Sequence, residues 1–195
     1  MDSHPSDMAS PPASTQDTPR GTILLVSSLG GFLVTFMTSS VNVALPLIEA
    51  EFGISAVTLS WISLSYILVA AALLLPIGRL ADLYGRMRFY ILGMIVFTVI
   101  SFASAFAPSA LVLLILRAIH GSGLAIGSAT ATSLVILAYP PESRGRALGL
   151  SVSAVYLGLS LGPVLCGLII HNLGWRSLFL IVGGAGLANL ILPLW

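Results

Sequence analysis

Leu111 to Tyr139 reads LVLLILRAIHGSGLAIGSATATSLVILAY, 29 residues in which Arg117 is the only charge. A helix crosses the hydrocarbon of a bilayer in about 20 apolar residues, so this stretch can span it and still run past the membrane or tilt. Backbone donors and acceptors in hydrocarbon must be satisfied within their own segment, which makes the stretch a helix. Five more stretches share this character and hold no charge at all: Ile23–Ile48, Leu59–Ile77, Phe89–Ala107, Ala147–Ile170 and Ser177–Trp195. The short alternating strands of a membrane barrel are absent from the pattern. The expected fold class is all-α, a bundle of six transmembrane helices over residues 21–195.

Composition agrees with a surface made for lipid. Of the 195 residues 57% are hydrophobic and 8% charged, and the mean hydropathy is +1.04; a soluble domain is nearer a quarter charged. All eight basic residues are arginine, and the net charge of +1 offers no argument for a nucleic-acid partner. The single cysteine, Cys166, excludes an internal disulfide and a cysteine-based metal cluster. Neither a metal nor a cofactor is expected. Residues 1–20, MDSHPSDMASPPASTQDTPR, are rich in Pro, Ser and Asp and too polar to offset their chain entropy, so they read as a disordered tail. The segment opens on acid and lacks the apolar core of a signal peptide.

Charge asymmetry sets an orientation. Arg20, Arg79, Arg86, Arg88, Arg144 and Arg146 fall in the tail and in the second-to-third and fourth-to-fifth connections, whereas the opposite connections hold Glu49, Glu51 and only Arg176. The positive-inside rule then puts both termini in the cytoplasm of a multi-pass plasma-membrane protein.

Four strings carry a resemblance. The second-to-third connection, Gly78-Arg-Leu-Ala-Asp82-Leu-Tyr-Gly85-Arg86-Met-Arg88, brackets an acid with two glycines and follows it with arginines. It resembles the major facilitator superfamily signature G-x-L-a-D-r-x-G-r-[KR]-x-x-l, with Leu83 and Met87 in place of basic residues and Arg88 standing in for one of them. The fourth span contains Leu113-Leu-Ile-Leu-Arg117-Ala-Ile-His120-Gly121-Ser-Gly123-Leu-Ala125, similar to l-x-x-x-R-x-x-q-G-x-g-a-a with histidine for glutamine. The fifth span has Gly158-Leu-Ser-Leu-Gly162-Pro163-Val-Leu-Cys166-Gly167, similar to the antiporter-associated g-x-x-x-G-P-x-x-G-G. Met37-Thr38-Ser39-Ser40-Val41-Asn42-Val-Ala-Leu-Pro46 is similar to L-D-x-T-I-V-N-V-A-L-P of fourteen-helix drug antiporters, with Met37 where they hold aspartate. The loop Pro140–Ala147, with Glu142, and Gly174-Trp175-Arg176 also look like this family.

The resemblance implies the N-terminal six-helix half of a secondary transporter that exports drugs or small amphipathic molecules, with no enzymatic activity. Its gating motif would comprise Gly78, Asp82, Gly85, Arg86 and Arg88, with Glu142 joining Asp82 and Arg86 in one cytoplasmic charge cluster. The fifth-span motif would comprise Gly158, Gly162, Pro163 and Gly167; small residues at 158, 162 and 166 also make a smooth face for close helix packing, and Pro163 should bend the helix.

Polar residues at helical spacing mark candidate cavity faces. They are Thr35, Thr38, Ser39 and Asn42 in the first span, Arg117, His120 and Ser128 in the fourth, and Ser153, Tyr156 and Ser160 in the fifth. Such hydroxyls also bond their own backbone, which is the simpler alternative. Arg117 lies six residues inside the outer end, about 9 Å deep at helical rise. Its charge would cost about 3 kcal/mol near the bilayer centre. It either faces the cavity, to bind an anionic substrate or bias a proton site, or snorkels to the outer headgroups. His120 is either a titratable group or a packing histidine. No carboxylate lies within the six stretches, so proton-driven export lacks its usual acid in this half.

The expected partners are the bilayer, a small-molecule substrate and a second six-helix half, supplied by another copy or a separate chain. The alternatives are a truncated or split transporter without independent activity and, remotely, an intramembrane serine protease. The latter rests on His120-Gly121-Ser122-Gly123, which resembles in part the G-x-S-G of six-helix rhomboid-like enzymes.

Overall fold

The computed structural model describes residues 20–192. They form six helices, α1 Arg20–Phe52, α2 Ala56–Tyr84, α3 Arg86–Ala105, α4 Ala110–Ala138, α5 Pro141–Leu173 and α6 Trp175–Ile191, with no strand among the described residues. The expected tail, up to residue 19, and positions 193–195 of the sixth stretch lie outside the described residues; Arg20, placed in that tail by composition, is the first residue of α1. Helices α1 to α5 are long and apolar enough to cross a membrane, and α6 is a shorter apolar helix of 17 residues.

Each apolar stretch sits inside a helix that continues beyond it. At 33 residues, α1 is about 50 Å long at helical rise, against about 30 Å of hydrocarbon. Backbone pairing carries on where hydrophobicity stops, so the arginine-rich connections are largely helical. Only Gly85 separates α2 from α3, which puts Arg79 in α2 and Arg86 and Arg88 in the first turn of α3. Gly85 has φ +104°, a backbone state that a Cβ would strain. Likewise α5 starts at Pro141, so Glu142, Arg144 and Arg146 lie in its first turns rather than in a loop. On the opposite side Ser55 and Ser109 cap α2 and α4, each side chain accepting from the backbone N–H three residues on.

The helices pack as two interlocked triplets. Helix α1 packs chiefly on α5, α2 on α4, and α3 on both α4 and α6, while α1 and α4 also meet. Exchanging α1–α3 with α4–α6 maps this pattern onto itself: α1–α5 becomes α4–α2, and α3–α4 becomes α6–α1. The core runs down α1, α3, α4 and α6 through Met37, Val41, Tyr90, Met94, Phe97, Leu113, Leu178 and Phe179. Helix α5 buries only Ala147, Gly158, Gly162 and Cys166.

That narrow stripe on α5 is a polar seam. A Cβ on Gly158 would lie 2.5 Å from the Phe32 carbonyl, and one on Gly162 3.0 Å from the Phe36 carbonyl. The close approach lets α1 hydroxyls reach the α5 backbone: Thr35 Oγ1 donates to Val155 O at 2.9 Å, Ser39 Oγ to Gly158 O at 3.4 Å and Ser40 Oγ to Gly162 O at 3.0 Å. Cys166 Sγ returns a bond to Ser40 O at 3.2 Å. Lipid tails are as apolar as leucine, so helices in a membrane associate through such close packing and hydrogen bonds.

Candidate functional site

Arg117 is neither snorkelling nor on an open face: it is 1% exposed. Its guanidinium lies 4.1 Å from the centre of the Tyr66 ring on α2, and Nη1 donates to His120 Nδ1 at 3.3 Å. Nε is buried with no hydrogen-bond partner among the described residues. A desolvated cation over a tyrosine face gains about 2 kcal/mol, which offsets much of the insertion cost of the charge. Tyr66 is held in turn by α1, since Thr38 Oγ1 donates to its hydroxyl at 3.3 Å. The His120 ring sits 4.5 Å from Phe97 and 5.5 Å from Tyr66. Its Nε2 is 3.3 Å from Ser101 Oγ on α3. Four helices therefore converge on one buried positive charge. The acids within residues 20–192 are Glu49, Glu51, Asp82 and Glu142, all near helix ends, so no carboxylate neutralises it.

The other candidates divide. Thr38 belongs to the Arg117 cluster through Tyr66. Exposed Asn42 adjoins it, donating to Thr38 O at 3.4 Å and accepting from Ser63 Oγ at 3.1 Å. Ser39 is part of the α1–α5 seam. Ser128, Tyr156 and Ser160 are exposed, and no hydrogen bond among the described residues ties Tyr156 or Ser160 to the cluster. Spacing alone had grouped Ser128 with Arg117 and His120, but the α4 face it predicted is split between interior and surface. Ser122 Oγ donates to Ile119 O in its own helix at 2.6 Å, and His120 contacts Arg117 and Ser101 instead, so Ser122 and His120 form no hydrogen bond among the described residues.

At the arginine-rich end, Arg86 Nε donates to Asp82 Oδ1 at 2.7 Å across the Gly85 joint. Glu142 and Arg88 are exposed and form no ion pair among the described residues, so the expected three-residue cluster reduces to the Asp82–Arg86 pair. The stretch Pro140–Ala147, read from sequence as a loop, is helical from Pro141 on, which fixes Glu142 in the first turn of α5. Gly78 is half-buried with open space about it, as is Gly167, while Pro163 is exposed on α5.

Sequence reading missed two groups. Glu51 at the end of α1 accepts from Trp175 Nε1 at 2.7 Å and from Arg176 Nη1 at 2.6 Å. Glu51 lies beyond the apolar stretch that ends at Ile48, and the hydrogen bonds from Arg176 and then Trp175 hold its carboxyl below the usual range. A single arginine, Arg176, on the side that holds Glu49 and Glu51 was the available signal. The second group is Tyr90, whose hydroxyl donates to Val26 O at 2.6 Å and lies 3.0 Å from Asn189 Oδ1, with Asn189 Nδ2 also donating to Val26 O at 2.9 Å. Asn189, a lone amide in an apolar helix, was its only mark in the sequence.

Comparison with known proteins agrees with this architecture. Residues 27–195 match the family described as Major Facilitator Superfamily. The chain is 39% identical over 157 residues to the multidrug resistance protein Stp of Mycobacterium tuberculosis, covering 80% of the chain and 29% of that protein. It is 36% identical over 172 residues to the cephamycin export protein CmcT of Amycolatopsis lactamdurans, covering 88% and 35%. Identity to the riboflavin transporter RibZ of Clostridioides difficile is 34% over 159 residues, covering 82% and 35%. The chain thus spans 29% to 35% of the length of these relatives. Its fold matches the crystal structure of a bacterial homologue of the human lysosomal transporter Spinster, in an inward-facing, occupied conformation, at a TM-score of 0.75 and 22% identity, over 93% of this chain and 44% of that one. A bundle of apolar helices around a buried arginine, matched to that family over nearly all its described length, makes this chain a multi-pass membrane protein of the Major Facilitator Superfamily, a family of transporters and not of enzymes.

Proposed function

We propose that the chain forms one six-helix half of an exporter of drugs or small amphipathic molecules in the plasma membrane, with both termini cytoplasmic. The observation that carries the reading is the Arg117 cluster. A guanidinium held at the meeting of α1, α2, α3 and α4 without a carboxylate is a fixed positive charge in a low-dielectric interior, and such intramembrane charges mark substrate or ion paths. Thr38 and Asn42 extend it toward the exposed end of the cluster and supply hydroxyl and amide groups to a substrate. The relatives' printed roles in drug resistance and cephamycin export support the substrate class. The six-to-one arginine asymmetry supports the orientation.

Transport in this fold takes place between two six-helix units, because substrate sites lie at the interface of the repeats near the midplane. The exposed Tyr156 and Ser160 of α5 then belong to a face completed by a second unit, supplied by another copy, a separate chain or further sequence. The test is reconstitution into liposomes with particle mass measured beside uptake of a panel of amphipathic drugs, for the unaltered chain and for Arg117→Ala. Substrate movement by a monomer of residues 1–195 alone would overturn the need for a second unit. Equal transport with and without Arg117, in an assembly that does transport, would overturn the role of the cluster.

A further inference from the structure

The face of α5 that packs on α1 continues past the apolar stretch to an arginine. Near their starts the two helices meet at Ser28 and Ser151, whose hydroxyls lie 3.0 Å apart. Two turns back on the same face of α5 stands Arg144. The register of that serine pair puts it level with Gly21 of α1, next to Arg20, where α1 begins. Tyr139, between α4 and α5, closes the corner. Its hydroxyl donates to Arg20 O at 3.2 Å, and its own carbonyl accepts from Arg144 Nη2 at 3.3 Å. One tyrosine thus bridges the starts of α1 and α5.

The Arg144 guanidinium is held in place and largely unused. Arginine offers five N–H donors and stays charged. The bond to Tyr139 is the only side-chain hydrogen bond of Arg144 among the described residues, and its Nε is buried with no partner there. No carboxylate of the described residues pairs with Arg144 or Arg20, since the ion pairs among them are Asp82–Arg86 and Glu51–Arg176. Glu142, two residues before Arg144, projects from another side of α5. The corner also has room: Gly21 is exposed, and a Cβ on it would meet nothing within 4 Å.

Its depth selects the anion. The apolar stretches of α1, α4 and α5 begin at Ile23, end at Tyr139 and begin at Ala147. The corner therefore lies where hydrocarbon gives way to headgroups, and basic pockets between helices at that level attract anionic lipids.

We propose that Arg20, Tyr139 and Arg144 form a binding site for the phosphate of an anionic lipid headgroup. Arg144 presents the planar fork of donors that matches a phosphate, and Arg20 supplies a second charge. A phosphate shared by the two arginines joins the starts of α1 and α5 without a carboxylate. The site does not depend on transport activity; only the assignment to the cytoplasmic leaflet rests on the proposed orientation.

The test is native mass spectrometry of the full chain in detergent, titrated with phosphatidylglycerol or with zwitterionic phosphatidylcholine. Phosphatidylglycerol should bind about tenfold more tightly, and Arg144→Gln should remove most of that preference. Arg20→Gln should weaken phosphatidylglycerol about threefold to fivefold. Arg146→Gln removes an equal charge from the other side of α5 and should leave the affinity unchanged. Equal binding of the two lipids would overturn the proposal, and so would equal losses in Arg144→Gln and Arg146→Gln, which would mean a diffuse charge effect. If Arg144→Gln does not fold, Arg20→Gln against Arg146→Gln decides by the same criterion. Glycerol 3-phosphate carries the anion without acyl chains. Displacement of the lipid by an equal concentration of it would assign the corner to a free phosphate and overturn the lipid reading.

Discussion

Arg176 and Glu51 pair at 2.6 Å although they lie 125 residues apart in the chain, and the Trp175 indole donates to the same carboxylate. Arg176 Nη2 also donates to the Ala107 carbonyl at 3.2 Å, and its guanidinium stacks 4.3 Å from the Trp175 ring. One side chain thus ties the end of α1, the α3–α4 connection and the start of α6.

Breaking this clasp should loosen the end of the bundle more than it disturbs the core. Both partners are partly exposed, so the ion pair itself contributes at most about 1 kcal/mol. Glu51→Gln should lower the melting temperature in detergent slightly, and Arg176→Ala by more, because it also forfeits the Ala107 bond and the stacking. Since the Glu51 carboxyl is held below its usual value of 4.5, its stabilisation is present above that pH and is lost as pH falls through the folded-state value. The difference between the unaltered chain and Glu51→Gln should therefore shrink as the pH falls below 4.5 and vanish once the carboxyl is protonated. A difference that persists there would argue against the ion pair as its source.

The α1–α5 seam should tolerate no added volume. Gly158→Val or Gly162→Val would push a side chain into the Phe32 or Phe36 carbonyl, an overpacking worth about 1–3 kcal/mol. Gly167→Ala, with nothing within 4 Å of its added Cβ, should leave the melting temperature unchanged. Comparable losses at all three positions would mean that small residues are needed for some reason other than the seam.

Asp82→Asn should spare folding and insertion yet impair transport in an assembled transporter. The Asp82–Arg86 pair is exposed and contributes little to stability, but it bridges the one-residue joint between α2 and α3. Monodisperse protein with reduced transport rate is the expected result; transport at the unaltered rate would remove the gate role.

Orientation is open to cysteine labelling in a Cys166→Ala background. Cysteines placed at Arg86 and at Arg144 should resist an impermeant reagent added outside intact cells, and one at Glu51 should react. Outside labelling at Arg86 would reverse the topology.

Much of the fold is legible locally. Apolar runs such as Leu111–Tyr139 must be helical in hydrocarbon wherever they pack, and the glycine at 85 marks a joint because only its φ is easily reached without a Cβ. Helix ends are less legible. Hydropathy reports where lipid stops, whereas α2 and α5 end where backbone hydrogen bonding stops, so Arg79 and Glu142 turned out helical rather than looped. The candidate site is legible by half. Arg117 and His120 stand out because charge and imidazole are costly in lipid. Tyr66, which holds the guanidinium, looks like any aromatic residue in a membrane span. Spacing alone puts Ser39 and Tyr156 on polar faces without saying what such a face meets: Ser39 meets the α5 backbone and Tyr156 is exposed.

The sequence by itself determined the helices, their number, the charge asymmetry of their ends and the presence of one unneutralised charge among apolar residues. Each of these follows from transfer energies that a residue carries with it. Only the tertiary structure decided that Tyr66 and His120, not a carboxylate, receive that charge, that Ser39 and Ser40 bind the backbone of α5, and that Glu51 meets Arg176. These are pairings between helices far apart in the chain, and they depend on how closely two backbones can approach. That distance is set by glycines such as Gly121, Gly158 and Gly162, where a missing Cβ leaves room for a partner that the local sequence does not name.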